Sequence, residues 1–225
     1  MENLFAKDLE TVTRKAASRY GVEVVEKASE VRERLLSLWE KKLIKSNHSI
    51  MEYVVSLYLI SKGYDVHVEY PLGEDLVCDI YAVGGGRSLI VEIETGFVPP
   101  SNASDPISYR LAREVSKIVR YSPYADRFAL ATPPFHILQI PRIFLDSPTE
   151  RGEKELAELK GLLDMYYREP PLSIEDLKKA KIDYVLIVNV DSVSVFQYPI
   201  ESYYSMLRRN CYENLGFGGR ILKTF

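Results

Sequence analysis

Leu76-Val77-Cys78-Asp79-Ile80-Tyr81-Ala82-Val83, then Gly84-Gly85-Gly86-Arg87, then Ser88-Leu89-Ile90-Val91-Glu92-Ile93-Glu94-Thr95-Gly96: two apolar runs meet at a glycine-rich turn, and three carboxylates interrupt them. Apolar runs of this length, split by a short Gly-rich connection, read as two strands of a hairpin. Side chains alternate along a strand, so Glu92 and Glu94 share one face while Leu89, Val91 and Ile93 share the other. An isolated carboxylate is costly to bury, and two like charges on one face repel each other. A divalent cation removes both objections, because oxygen ligands from several carboxylates are what Mg²⁺ prefers. The stretch therefore reads as a metal site.

Outward from it, Ser46-Asn47-His48-Ser49 supplies capping residues before the apolar run Ile50 to Ile60, which ends at Lys62-Gly63. Caps in front and a glycine behind predict a helix. His48 precedes that helix; it is placed to touch a substrate, but a capping-region histidine without a special role is the favoured reading. A strand is predicted over Tyr64 to Tyr70, ahead of the hairpin. A Pro-, Ser- and Asn-rich loop (Val98 to Pro106) leads to a helix from about Ile107 to Tyr121, and Arg127 to Thr132 reads as a strand stopped by Pro133-Pro134. The core order is thus α-β-β-β-α-β.

Residues 1–45 read as an N-terminal helical extension, two helices broken near Tyr20-Gly21, and residues 46–140 as the core. Residues 141–225 read as a C-terminal α/β extension packed on it. This last part has helices over Pro148 to Tyr167 and Ser173 to Lys179, strands at Asp183 to Val190 and Ser194 to Gln197, and a final helix around Ile200 to Tyr212. In the C-terminal stretch, Tyr203-Tyr204, Arg208-Arg209, Tyr212, Arg220 and Lys223 mix aromatics with bases. That mix suits stacking on unpaired bases, but a dimer interface or core packing is the favoured reading.

The composition of the 225 residues, 46% hydrophobic and 27% charged, is that of an ordinary globular protein. No apolar run reaches the roughly 18 residues a membrane span needs. The first residues have no apolar core of signal-peptide length, and Cys78 and Cys211 are too few for a disulfide framework, so the expectation is a cytoplasmic protein. With 29 basic and 32 acidic side chains the formal charge is −3, which counts mildly against a nucleic-acid binder but leaves local charge distribution open. Three histidines without paired spacing argue against zinc. Gly84-Gly85-Gly86 precedes no Lys-Ser/Thr and no helix, so it is a hairpin turn, not a phosphate loop. No motif supports a Ser or Cys nucleophile.

The α-β-β-β-α-β order, with Glu52 in the first helix, Asp79 in the second strand and Glu92-Ile93-Glu94 in the third, resembles the PD-(D/E)xK nuclease superfamily. This is the restriction-endonuclease-like fold, also seen in archaeal Holliday-junction resolvases. The resemblance covers about Asn47 to Pro134 and implies an α/β fold with a mixed central sheet. Asp79 matches the family's metal-binding aspartate and Glu92 the first acid of its (D/E)xK motif. Glu52 falls where many members carry an extra acid beside the metal. Cys78-Asp79 stands in place of Pro-Asp, and Glu94 in place of the usual lysine. The variant Glu-x-Glu-Thr-Gly is similar to some archaeal members. The implied cofactor is Mg²⁺ or Mn²⁺, with no organic cofactor, held by Asp79, Glu92, the main-chain carbonyl of Ile93 and Glu94. The implied reaction is hydrolysis of DNA phosphodiester bonds, in repair, recombination or mobile-element processing, by an enzyme that in many relatives is a homodimer.

Lys117 is the candidate for the missing positive charge. Arg110, Arg113, Lys117 and Arg120 are spaced 3, 4 and 3 apart. That spacing places them on one helix face, opposite the apolar stripe Ile107, Leu111, Val115 and Ile118. Such a row can follow a phosphate backbone, and it can equally be the wet face of an amphipathic helix. Two rivals to the nuclease stay open: the same fold kept as a catalytically inactive nucleic-acid-binding or assembly module, and a different α/β protein whose acids form a surface pair. The last requires Asp79 and Glu92 to point to different places.

Overall fold

Three helices precede the core where the sequence predicts two. In the structure, a computed structural model that describes residues 4–214, they are α1 (Leu4–Tyr20), α2 (Val22–Lys27) and α3 (Ser29–Glu40). The expected break is at Gly21, at φ +94. The other is at Ala28, with φ −83 and ψ 2. Any residue adopts that bridge conformation, so the sequence carries no punctuation there.

Helix α4 (Ser46–Ser61) begins earlier than the caps suggest. Lys45 is the extended residue in front of it, and Ser46, Asn47 and His48 form its first turn. At the other end Gly63, at φ +85, closes the helix as predicted. Its N–H donates to the carbonyl of Ile60, and that of Tyr64 to Leu59. Helix α4 lies between the sheet and the N-terminal helices, and most of its side chains are buried.

Strands β1 (Asp65–Pro71), β2 (Val77–Gly84) and β3 (Arg87–Ile93) form an antiparallel meander. Helix α5 (Pro106–Tyr121) then crosses over to β4 (Arg127–Thr132), parallel to β3. Asp105 caps α5 by accepting from the Ser108 N–H, and Pro106 fills its first position. The expected α-β-β-β-α-β order is thus present in α4, β1, β2, β3, α5 and β4.

Past the core come α6 (Glu153–Tyr166), α7 (Ile174–Lys179), β5 (Tyr184–Asn189), β6 (Ser194–Pro199) and α8 (Ile200–Asn214). The helix predicted from Pro148 starts only at Glu153. Just before it, buried Arg151 donates to the carbonyls of Leu177, Lys178 and Ala180, closing the end of α7.

Among the described residues the result is an α/β architecture, eight helices around one six-stranded mixed sheet ordered β1-β2-β3-β4-β5-β6. Both sheet faces are covered. Leu89, Val91 and Ile93 of β3 pack with α1, α3 and α4, while Ile90 packs with α5 and α6 on the other side. The first core joins Phe5 and Leu35 to Tyr53 and Leu57. Strands β5 and β6 continue the sheet, so packing is continuous across residues 45 and 140. Tyr203 and Tyr204 are core residues, their hydroxyls bonded to the N–H of Leu138 and the carbonyl of Ile140. The side chains of Tyr212, Arg220 and Lys223 lie outside the described residues. No described helix is long and apolar enough to cross a membrane.

Candidate metal centre

The last registered pair of β2 and β3 is Ile80 with Val91, after which the strands part. Strand β3 stays on β4, and the Glu94 N–H reaches the Ala131 carbonyl at 2.7 Å. In the fork, side chains replace the ladder. The Asp79 N–H donates to Glu92 Oε1 at 2.9 Å, and the Ile93 N–H donates to Asp79 Oδ2 at 2.6 Å. The two acids thereby satisfy the backbone donors exposed by the parting strands, and each locks the other in place.

Lys117 enters the fork from α5. Its Nζ donates to the Ile93 carbonyl at 2.6 Å and lies 3.3 Å from Asp79 Oδ2 and 3.1 Å from Glu92 Oε2. Both carboxylates therefore converge on one point, and Glu92 is only 1% exposed, which removes the surface-pair rival. Burial disfavours the Lys117 ammonium, but Asp79 and Glu92 more than reverse this and hold its pKa above the usual lysine range.

From the opposite sheet face α4 brings in two more groups. His48 Nε2 is 3.1 Å from Asp79 Oδ2 and 3.5 Å from Glu52 Oε1. Glu52 is fully buried, and its Oε2 has no hydrogen-bond partner. Desolvation, then the charge of Asp79, pushes its pKa well up. Asp79 behaves oppositely. Burial opposes its ionisation, but Lys117 and His48 outweigh that and hold its carboxyl below the ordinary aspartate range.

Comparison of the chain with known protein families, curated proteins and solved structures finds no match.

Of the residues singled out in the sequence, the structure brings together Asp79, Glu92, Glu52, Lys117 and the Ile93 carbonyl. It turns Glu94 aside. That carboxylate pairs with Arg113 Nε at 2.7 Å and accepts from the Gly96 N–H at 3.3 Å. Each member of the basic row is half-buried and has a partner within the protein. Arg110 donates to the Ile137 carbonyl, Arg120 donates to Pro170 and lies over the Tyr167 ring, and Arg113 and Lys117 hold the acids.

Two residues of the cluster were not read as functional. His48 belongs to it because α4 starts a turn early, which places residues 48 and 52 on one helix face. Glu69 of β1 has φ +47, and burial, then the nearby charge of Asp79, raises its carboxyl pKa. A lone acid on an edge strand gives no sequence signal for either property.

The Glu92 carboxyl is pushed up to about 8, by burial first and by the charge of Asp79 second. Because its folded value lies above the unfolded one near 4.5, its contribution to stability is complete below 4.5 and is lost as pH rises through about 8. Glu92→Gln keeps an acceptor for the Asp79 N–H and has no proton to release. Denaturant unfolding at several pH values is expected to show the stability of this variant rising relative to wild type between pH 5 and 8. A pH-independent difference would contradict the assignment.

Behind the fork, Gly96 is at φ +77, and a Cβ there would lie 2.5 Å from His136 Nδ1. His136 is held by Glu114 at 3.2 Å, and Glu114 also accepts from the Gln139 N–H. Burial, then the charge of Arg110, pushes the His136 pKa down to about 4, so the ring is neutral at pH 7. Gly96→Ala combines a disfavoured backbone with a clash against this fixed ring. The expected loss is about 2–4 kcal/mol, measurable by urea unfolding.

Proposed function

We propose that the chain is a metal-dependent nuclease of restriction-endonuclease-like fold that hydrolyses DNA phosphodiester bonds. The observation that carries this reading is the convergence of the Asp79 and Glu92 carboxylates and the Ile93 carbonyl around Lys117 at the β2/β3 fork. Lys117 occupies the point between these oxygens, and Asp79, with the unpartnered Glu52 Oε2 and the His48 ring on the α4 side, fits a divalent cation next to it. Such an ion would polarise the scissile phosphate and lower the pKa of a bound water.

The chain's own groups do the rest. Asp79 and Glu92 are held rigid by the backbone N–H groups of the fork. Lys117 is a fixed positive charge where negative charge builds on the phosphorane-like transition state. It supplies from α5 the charge that Glu94 does not provide on β3. Exposed Lys41, Lys42 and Lys45 lead into the first turn of α4, which carries His48, and they attract a polyanion to this side of the site.

A second reading, a catalytically inactive binding module, draws on Lys117 itself, whose ammonium already neutralises the acid pair. Labelled linear, branched and single-stranded DNA, incubated with Mg²⁺ or Mn²⁺, distinguishes the two. The nuclease reading expects metal-dependent cutting that EDTA stops. Salt-sensitive binding without cutting under either metal would favour the inactive module.

A further inference from the structure

We propose that Phe97 and Phe135 form a stacking platform for unpaired bases beside the cleavage site, so that the preferred substrate is DNA carrying a single-stranded segment. The proposal rests on the reading of the fork as a DNA-cleaving centre and adds the class of DNA that the centre takes.

Both rings stand in solvent, Phe97 at 62% and Phe135 at 86% exposure. They flank one close contact: the Gly96 backbone lies against the His136 ring, and each phenylalanine is next in sequence to one side of it. Ile137 and, on α5, Ile107 are exposed as well. Arg110 ties these two together, since it stands one turn beyond Ile107 and donates to the Ile137 carbonyl at 2.7 Å. A single exposed apolar side chain needs no explanation, but four of them next to a site do.

The turn that carries Phe135 is braced. Pro133 and Pro134 fix two φ angles, and the His136 N–H closes on the Pro133 carbonyl at 3.1 Å, which leaves Phe135 at the tip. The Thr132 hydroxyl donates to the His136 carbonyl at 3.3 Å, and Glu114 holds the His136 ring at 3.2 Å. A large apolar ring is thus held out in water by a fixed backbone, so little backbone ordering remains to be done on binding.

The position of the patch selects its occupant. Beyond the bond from the Glu94 N–H to the Ala131 carbonyl, the carboxyl ends of parallel β3 and β4 open into the two loops, the place where open α/β sheets take ligands. Phe97 is four residues past Ile93, whose carbonyl Lys117 holds, and so at most about 14 Å from it. In a chain with 32 acidic residues, neither 95–104 nor 133–141 contains one. The next acid, Asp105, is engaged in capping α5. A phosphate strand leaving the fork therefore meets exposed rings and Arg110 rather than carboxylates. Paired bases keep their faces inside the duplex, whereas an unpaired base offers a π-face to a ring whatever its identity.

The test is binding in Ca²⁺, with the DNA checked to be uncut. Fluorescence anisotropy on single-stranded, branched and fully paired DNA of equal length compares wild type with Phe97→Ala and Phe135→Ala. Phe196→Ala, which removes an exposed ring from β6, is the control. Wild type is expected to bind the single-stranded and branched forms more tightly than the paired one. Each of the two platform variants should weaken single-strand binding roughly 5- to 100-fold, the usual loss per stacked base, and shrink the preference with it. Phe135→Trp should keep the affinity, and single-stranded DNA should quench its added indole emission above the wild-type background from Trp39. No preference for unpaired DNA, equal losses on paired and unpaired DNA, or an unquenched indole would overturn the proposal. So would a wild-type dimer in sedimentation that Phe135→Ala turns into a monomer, because a second copy would then cover the patch. Metal-dependent cutting alongside any of those results would leave the nuclease reading standing. Ring-dependent binding of single strands without cutting under any metal would support the platform and count against the nuclease.

Discussion

Lys117→Met is expected to lower the rate of DNA cleavage by roughly 10²–10³-fold, the usual loss when one fixed charge or donor at the reacting group is removed. It is also expected to destabilise the fold by about 3–5 kcal/mol, because it strips the partner from a buried charge. Methionine keeps the length and apolar stem of lysine, so packing on α5 changes little. What it cannot do is donate to the Ile93 carbonyl at 2.6 Å or face Asp79 at 3.3 Å. Asp79 is the group left stranded, since its carboxyl is the one held ionised. Combining Lys117→Met with Asp79→Asn should therefore recover much of the lost stability and none of the activity. Urea unfolding of the two single variants and the double variant measures this coupling. Additive effects would mean that the ammonium and the aspartate do not interact as the geometry requires.

Asp79→Asn is expected to cost more in activity, a loss of roughly three orders of magnitude or greater for a residue on which the metal and the fork both depend. Asp79 Oδ2 alone meets the Ile93 N–H, the Lys117 ammonium and the His48 ring. Asparagine preserves the shape and one acceptor oxygen but loses the charge that draws a cation. Binding to the native state alone raises its stability by mass action, so wild type should melt at a higher temperature when Mn²⁺ is added. The variant should show little or no such shift. An undiminished shift would place the ion elsewhere.

Much of this was legible in residues 76–96. The Gly84-Gly85-Gly86 turn, the alternation of Leu89, Val91 and Ile93 against Glu92, and the glycine that closes the helix after Ile60 are local signals, and the structure follows them. What was not legible depends on which of several locally allowed arrangements tertiary packing selects. Ser46 and Asn47 suit a cap or a first turn equally, and the choice decides whether His48 faces Glu52. A 3-4-3 row of bases marks one face of α5 but not whether solvent or protein covers it. Here Arg110, Arg113 and Arg120 are half-buried and bond the Ile137 carbonyl, Glu94 and the Pro170 carbonyl. The parting of β2 from β3, which converts Asp79 and Glu92 from an acid pair into a site, has no sequence signature beyond the acids themselves.

Whether the fork is a phosphodiester-cleaving metal centre is tested most directly by the single-turnover rate on end-labelled DNA in Mn²⁺, for wild type and for a folded Asp79→Asn protein, with EDTA as the control. Wild type is expected to cut, EDTA to abolish cutting, and Asp79→Asn to cut at a rate near background. Cutting by the variant at the wild-type rate, or no cutting by wild type on any DNA form, would contradict this reading.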